Sequence, residues 1–124
     1  MISPDLISFI GGSIRSVWAL ELLLVLKRDE ARAWTAGQLV QEMRASAPLV
    51  GDVLGTFETA GLVRSEGERA YRYDPASPVL RDLCDELERA YRERPSAVIK
   101  TILSSPNDKL QSFADAFRFK GEAK

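Results

Sequence analysis

Val53-Leu54-Gly55-Thr56-Phe57-Glu58-Thr59-Ala60-Gly61-Leu62-Val63-Arg64 is the stretch whose reading decides the fold. Val53, Leu54 and Phe57 recur at the spacing of one helix face, following Leu49 and Val50. Gly61 then stands where a helix ends in a left-handed residue, which glycine adopts without a Cβ clash. Leu62 and Val63 resume an apolar run that is too short for a helix and suits a strand. A helix, a reversal and a strand are therefore expected within twelve residues.

Working outward, Ser46-Ala47-Pro48 supplies a capping hydroxyl and an early proline, so that helix is expected from Pro48 to Ala60. Before it, Thr35 and Gln38 have capping-box spacing, and Trp34 with Leu39 can form a hydrophobic staple. A helix follows to about Arg44, with Leu39, Val40 and Met43 inward. Further upstream, Ser13 can cap a helix to about Asp29 that is apolar at Ile14, Val17, Trp18, Leu20 and throughout Leu22 to Leu26. A helix apolar nearly all round is buried nearly all round. Ser3-Pro4-Asp5 starts a short first helix closed by Gly11-Gly12. Downstream, Leu62 to Ser65 and Arg69 to Tyr73 flank Gly67 and read as a β-hairpin, with Tyr71 and Tyr73 on one face. Ser77-Pro78 opens a helix with the apolar stripe Leu80, Leu83, Cys84, Leu87, Ala90 and Tyr91. Pro95 interrupts it, and Val98, Ile99, Ile102 and Leu103 continue beyond. Ser105-Pro106 caps a last helix with Leu110, Phe113, Ala114 and Phe117 inward.

The expected architecture is one domain over residues 1–124, mainly α with a small β-hairpin: a core at 13–74 and C-terminal helices at 77–118. The order helix, helix, tight turn, helix, hairpin, helix resembles the winged helix-turn-helix plan of bacterial regulators of the MarR, ArsR and PadR type. The stretch from Val53 to Arg64 is similar to the end of their recognition helix and the start of their wing. That resemblance implies a transcriptional regulator binding double-stranded DNA. The helix from Pro48 to Ala60 would enter the major groove, and the hairpin would touch the backbone or minor groove. It also implies a homodimer formed through the helices after the hairpin.

The residues themselves leave the function open. The outward positions of the Pro48–Ala60 helix are Gly51, Asp52, Gly55, Thr56 and Thr59. None is Lys, Arg, Asn or Gln, the side chains that read base edges best. Thr56 and Thr59 are thus the candidate base contacts, and Arg44, Arg64, Arg69 and Arg72 the candidate phosphate contacts. Yet Thr35 to Asp74 carries net charge −2. Gly51 and Gly55, four apart, each cost about 1 kcal/mol against alanine in a helix. They mark either a face approached closely by DNA, a partner helix or the amino-terminal segment, or local crowding inside the domain. A protein-interaction module is therefore the alternative function. A third reading is a small-molecule sensor with Trp18 and Tyr91 lining a pocket. The stripe at Leu80, Cys84, Leu87 and Tyr91 serves either a dimer seam or packing on its own second helix.

Composition narrows the classes. The chain has 124 residues, 17 basic and 18 acidic side chains, and 45% hydrophobic residues. Those values fit a globular domain with a real core. With no histidine and one cysteine, neither a metal centre nor a disulfide is expected, and no cofactor is implied. No glycine-rich phosphate loop or paired nucleophile and base stands out, so binding rather than catalysis is expected. Cys84 reads as a small buried hydrophobe, and the acids from Asp82 to Glu88 as an exposed, salt-bridged face. The longest apolar stretch, Val17 to Leu26, is too short for a bilayer and holds Glu21. A cytoplasmic protein without membrane contact is the resulting expectation.

Overall fold

Serine caps and prolines start most of the helices. In the computed structural model, which describes residues 2–67 and 69–104, Ser3, Ser16, Ser46 and Ser77 each accept a hydrogen bond from the backbone N–H three residues on. The elements are α1 (Pro4–Ser13), α2 (Val17–Arg28), β1 (Trp34–Thr35), α3 (Ala36–Met43), α4 (Ala47–Thr59), β2 (Val63–Glu66), β3 (Ala70–Tyr73), α5 (Pro78–Glu93) and α6 (Pro95–Ser104). The described residues are mainly helical, with one small antiparallel sheet ordered β1-β3-β2.

Two boundaries differ from expectation. Gly11-Gly12 does not end α1, and Ser13 does not cap α2. Instead α1 runs through both glycines to Ser13, and the chain leaves it through Ile14, which is extended and fully buried. Burying Ile14 turns the chain by 100° between the two helices, and the capping hydroxyl then falls to Ser16, which accepts from the Ala19 N–H at 3.0 Å. The third strand was also not foreseen. Trp34 and Thr35 pair with Tyr71 and Ala70, a two-residue ladder defined by its partner rather than by its own sequence. The helix expected after Ser105-Pro106, with Leu110, Phe113, Ala114 and Phe117, lies outside the described residues.

The core gathers around α2, whose Leu20, Leu22, Leu23 and Leu26 have no exposed surface. Leu6, Phe9 and Ile10 of α1 are buried where that helix packs against α5 and α6. Leu39, Val50, Leu54 and Phe57 fix α3 and α4. On the hairpin, Val63 pairs with Tyr73 and both face the core, whereas Arg64 pairs with Arg72 on the opposite face. Tyr71 is only half-buried. Tyr73 is buried beside Cys84, and burial pushes the Cys84 thiol up to about 11. The thiol is therefore protonated at neutral pH and packs as a hydrophobe. Among the described residues, no single helix is long and apolar enough to cross a membrane. The α1–α2 pair would pass by composition but is bent at its break.

The stripe on α5 packs within the chain. Cys84 and Leu87 are fully buried against it, so they cannot also form a seam to a second copy. Charged side chains of α5 pair with other elements: two acids with α2, Arg81 with Glu30 just past the end of α2, and Glu86 with the Ser3 cap of α1. Lys27 sits 2.9 Å from Asp85 and 2.6 Å from Glu88, and Arg81 lies 2.9 Å from Glu30.

Gly61 has φ of 81°, as the sequence predicts. A Cβ there would also meet the Ala76 Cβ at 3.3 Å and Leu80 Cδ1 at 3.4 Å. Gly61→Val is expected to destabilise by at least about 1–2 kcal/mol, read as a lowered urea midpoint at unchanged slope.

Candidate nucleic-acid interface

The outward face of α4 is the one its periodicity dictates. Val50, Leu54 and Phe57 are buried, while Gly51, Asp52, Gly55 and Thr59 are exposed and Thr56 is half-buried. Cβ atoms built at Gly51 or Gly55 would meet nothing within 4 Å. Crowding by the described residues is therefore not the reason for these glycines. The Thr56 hydroxyl donates to the Asp52 carbonyl at 3.2 Å, so its proton is already committed and its lone pairs are what remain for a ligand.

Opposite this face lies the junction of α1 and α2. Between them runs an open cleft of about 650 Å³. Gly12, Ser13 and Arg15 form one bank; Asp52, Gly55, Thr56 and Thr59 form the other. Reading the sequence alone did not find the first bank. Nothing local links Arg15 to a helix more than thirty residues downstream; the bend after Ile14 brings it there.

The four expected phosphate contacts do not form one cluster. Arg64 and Arg72 are direct cross-strand partners. Like charges placed so are unfavourable, and two carboxylates offset the repulsion. Arg64 Nε lies 3.4 Å from Asp74 Oδ2, and Arg72 Nε 3.2 Å from Glu66 Oε2. The exposed face of the hairpin is thus a balanced ladder of two cations and two anions. Pairs this exposed contribute about 0–1 kcal/mol each, so an incoming phosphate can displace them. Arg69 instead borders a cleft of about 510 Å³ with Thr35, Gly37 and Tyr71, at the start of α3. Arg44 sits beyond the other end of α3 in a left-handed conformation, φ 54°. An eight-residue helix separates them by about 12 Å of axis. Among the described residues, neither Arg44 nor Arg69 forms an ion pair.

Other residues singled out from the sequence have structural employment. The Tyr91 hydroxyl donates to Glu21 at 2.7 Å, tying α5 to α2, and Trp18 packs half-buried against the core. The Glu58 carboxylate accepts from the Ser65 hydroxyl at 2.7 Å, which fixes the hairpin against the end of α4.

Comparison with protein-family models found no match, and none was found among curated proteins.

Because the space over Gly55 is open, Gly55→Ala is expected to stabilise the domain by about 1 kcal/mol, through helix propensity alone. Thermal or urea denaturation measures it. A destabilised variant would mean that the face is filled within the folded protein.

Proposed function

We propose that this chain is a winged helix-turn-helix protein that binds double-stranded DNA as a homodimer and regulates transcription. One observation carries the reading: α2, β1, α3, α4, β2 and β3 follow one another in that order, with β3 central in the sheet. In this plan α4 is the recognition helix and the hairpin is the wing. Gly51, Asp52, Gly55, Thr56 and Thr59 face the groove. Arg44, Arg69 and the Arg64–Arg72 pair hold phosphates.

Binding by such a surface has a specific energetic form. No cation projects from α4, so attraction comes from its flanks. Arg64 and Arg72 must exchange Asp74 and Glu66 for phosphate oxygens, which lowers their net contribution. Among the described residues, Arg44 and Arg69 have no such exchange to make. Asp52 can accept from a cytosine amino group; the Thr56 and Thr59 hydroxyls can hydrogen-bond base edges, Thr56 as an acceptor, and their methyls can pack on a thymine methyl.

A second reading, a winged-helix module that binds protein, is favoured by the same α4 face. Two bare glycines and few charges suit a close-packed partner as well as a groove. The third, a sensor pocket at Trp18 and Tyr91, has less support, because Tyr91 is already bonded to Glu21.

The dimer is proposed through the helices flanking the core, where Val79 and Leu103 are exposed by 67% and 68%. Sedimentation at micromolar concentration should give twice the chain mass; a monomer at all concentrations rejects the dimer.

Fluorescence anisotropy against genomic fragments at several salt concentrations separates the two functions. If DNA is the partner, Arg69→Ala weakens binding to all sequences alike and flattens the salt slope by about one unit. Glu66→Gln and Asp74→Asn should each strengthen binding, by up to about fivefold, because they free an arginine. Thr59→Ala should alter which sequence is preferred. If protein is the partner, DNA affinity is negligible even at low salt, and Gly55→Leu abolishes partner binding while Arg69→Ala does not.

A further inference from the structure

We propose that Arg15, at the junction of α1 and α2, is a phosphate-anchoring residue, and that a DNA strand runs through the cleft between this junction and α4. The inference rests on the DNA reading and extends it to a residue outside the helix-hairpin unit.

Arg15 is the one cation among the described residues lining the cleft of about 650 Å³. It supplies from the opposite bank what α4 lacks. The rest of that bank suits a sugar-phosphate backbone. Ser13 brings a hydroxyl to the same bank as Arg15, and such side chains are common phosphate and sugar partners. At Gly12 and Gly55 a Cβ would meet nothing within 4 Å, so both banks leave room for a chain to approach the protein backbone. Asp52 is the one acid among the described lining residues. It lies on α4, where a base edge rather than a phosphate would face it. A strand lying with its phosphates toward Arg15 and Ser13 and its bases toward Asp52, Thr56 and Thr59 satisfies both banks. The opposite orientation sets phosphates against a carboxylate. An acidic protein segment would meet Arg15 equally well but would bring carboxylates toward Asp52 on the other bank, whereas a base edge can donate to it.

The test uses the full chain and double-stranded fragments in the anisotropy assay, with melting curves as a folding check. Arg15→Ala should weaken binding roughly three- to tenfold, equally for preferred and random sequences, and flatten the salt slope by about one unit. Arg15→Lys should keep the slope and lose less affinity. Ser13→Lys should strengthen binding, which keeps the proposal testable if Arg15→Ala fails to fold. Arg89→Ala is the control. Arg89 shares a small cleft with Ile2 and Leu6 at the other end of α1, about 15 Å of helix away, and its loss should change nothing. If the parent binds DNA but Arg15→Ala and Ser13→Lys bind as it does, the Arg15 proposal is overturned and the DNA reading stands. A changed sequence preference in Arg15→Ala overturns the phosphate role. If neither the parent nor Ser13→Lys binds DNA at low salt, both the DNA reading and this extension of it fall.

Discussion

The reversal at Gly61 is the constraint on which the remaining architecture depends. The Leu62 N–H donates to the Phe57 carbonyl at 2.9 Å, and the Gly61 N–H to the Glu58 carbonyl at 3.1 Å. These two bonds are the paired closure of a Schellman motif, which requires a left-handed residue at Gly61. The same two residues then work outward. The Gly61 carbonyl accepts from the Ala76 N–H at 2.8 Å, and the Leu62 carbonyl from the Asp74 N–H at 3.0 Å. One dipeptide therefore joins the end of α4 to the exit of the hairpin and the approach to α5. With Leu62 buried beneath it, the angle of the hairpin to α4 is set by backbone bonds rather than by side-chain fit alone. Asp74, placed by one of those bonds, is also the carboxylate that holds Arg64. The electrostatics of the hairpin thus follow from the geometry of a helix cap.

A second tie acts on the other side of the core. Lys27 leaves the apolar α2 with a side chain only 11% exposed and meets two carboxylates of α5. Burial alone would lower its pKa, but the hydrogen bonds and charges of Glu88 and Asp85 together raise it above the ordinary 10.5. A raised lysine pKa stabilises the fold at all pH values below the unfolded value, and the contribution fades only as pH rises through the folded one. The clamp is thus fully present at neutral pH. It holds the α5–α6 layer against α2 independently of the face that carries α4 and the hairpin.

What the sequence made legible was local. Capping hydroxyls at Ser3, Thr35, Ser46 and Ser77, the prolines beside three of them, and the glycine at 61 act within four residues, so their spacing carries the information. The start of α2 was misplaced by three residues, because Ser13 and Ser16 are equally good caps and only the burial of Ile14 chooses between them. β1 has two residues and no signature of its own. The outward face of α4 was readable from periodicity. The state of the arginines was not. Alternation puts Arg64 and Glu66 on one face, but their partners depend on cross-strand register, which the sequence does not state. Arg15 was invisible for the same reason: its place opposite α4 is a product of the bend between α1 and α2.

The charge pattern and the glycines of α4 bear on each other. Two helical glycines together cost about 2 kcal/mol, a sizeable part of the 5–15 kcal/mol by which a domain is usually stable. Among the described residues nothing requires that cost, since the space above both is open. A contact made from outside, as in the function proposed above, would offset it. A surface optimised for strong nonspecific attraction would place cations on this face. Here Arg44 and Arg69 stand at its margins, and the hairpin pair is neutralised by its own carboxylates. Such a surface gains little from charge at a distance and more from close fit at the centre, where the absence of Cβ atoms lets a partner approach the helix backbone. Weak attraction combined with close approach favours discrimination over affinity. A mismatched partner loses the fit without retaining a large electrostatic remainder, so the acidic balance of the unit and the bare face of α4 are parts of one arrangement.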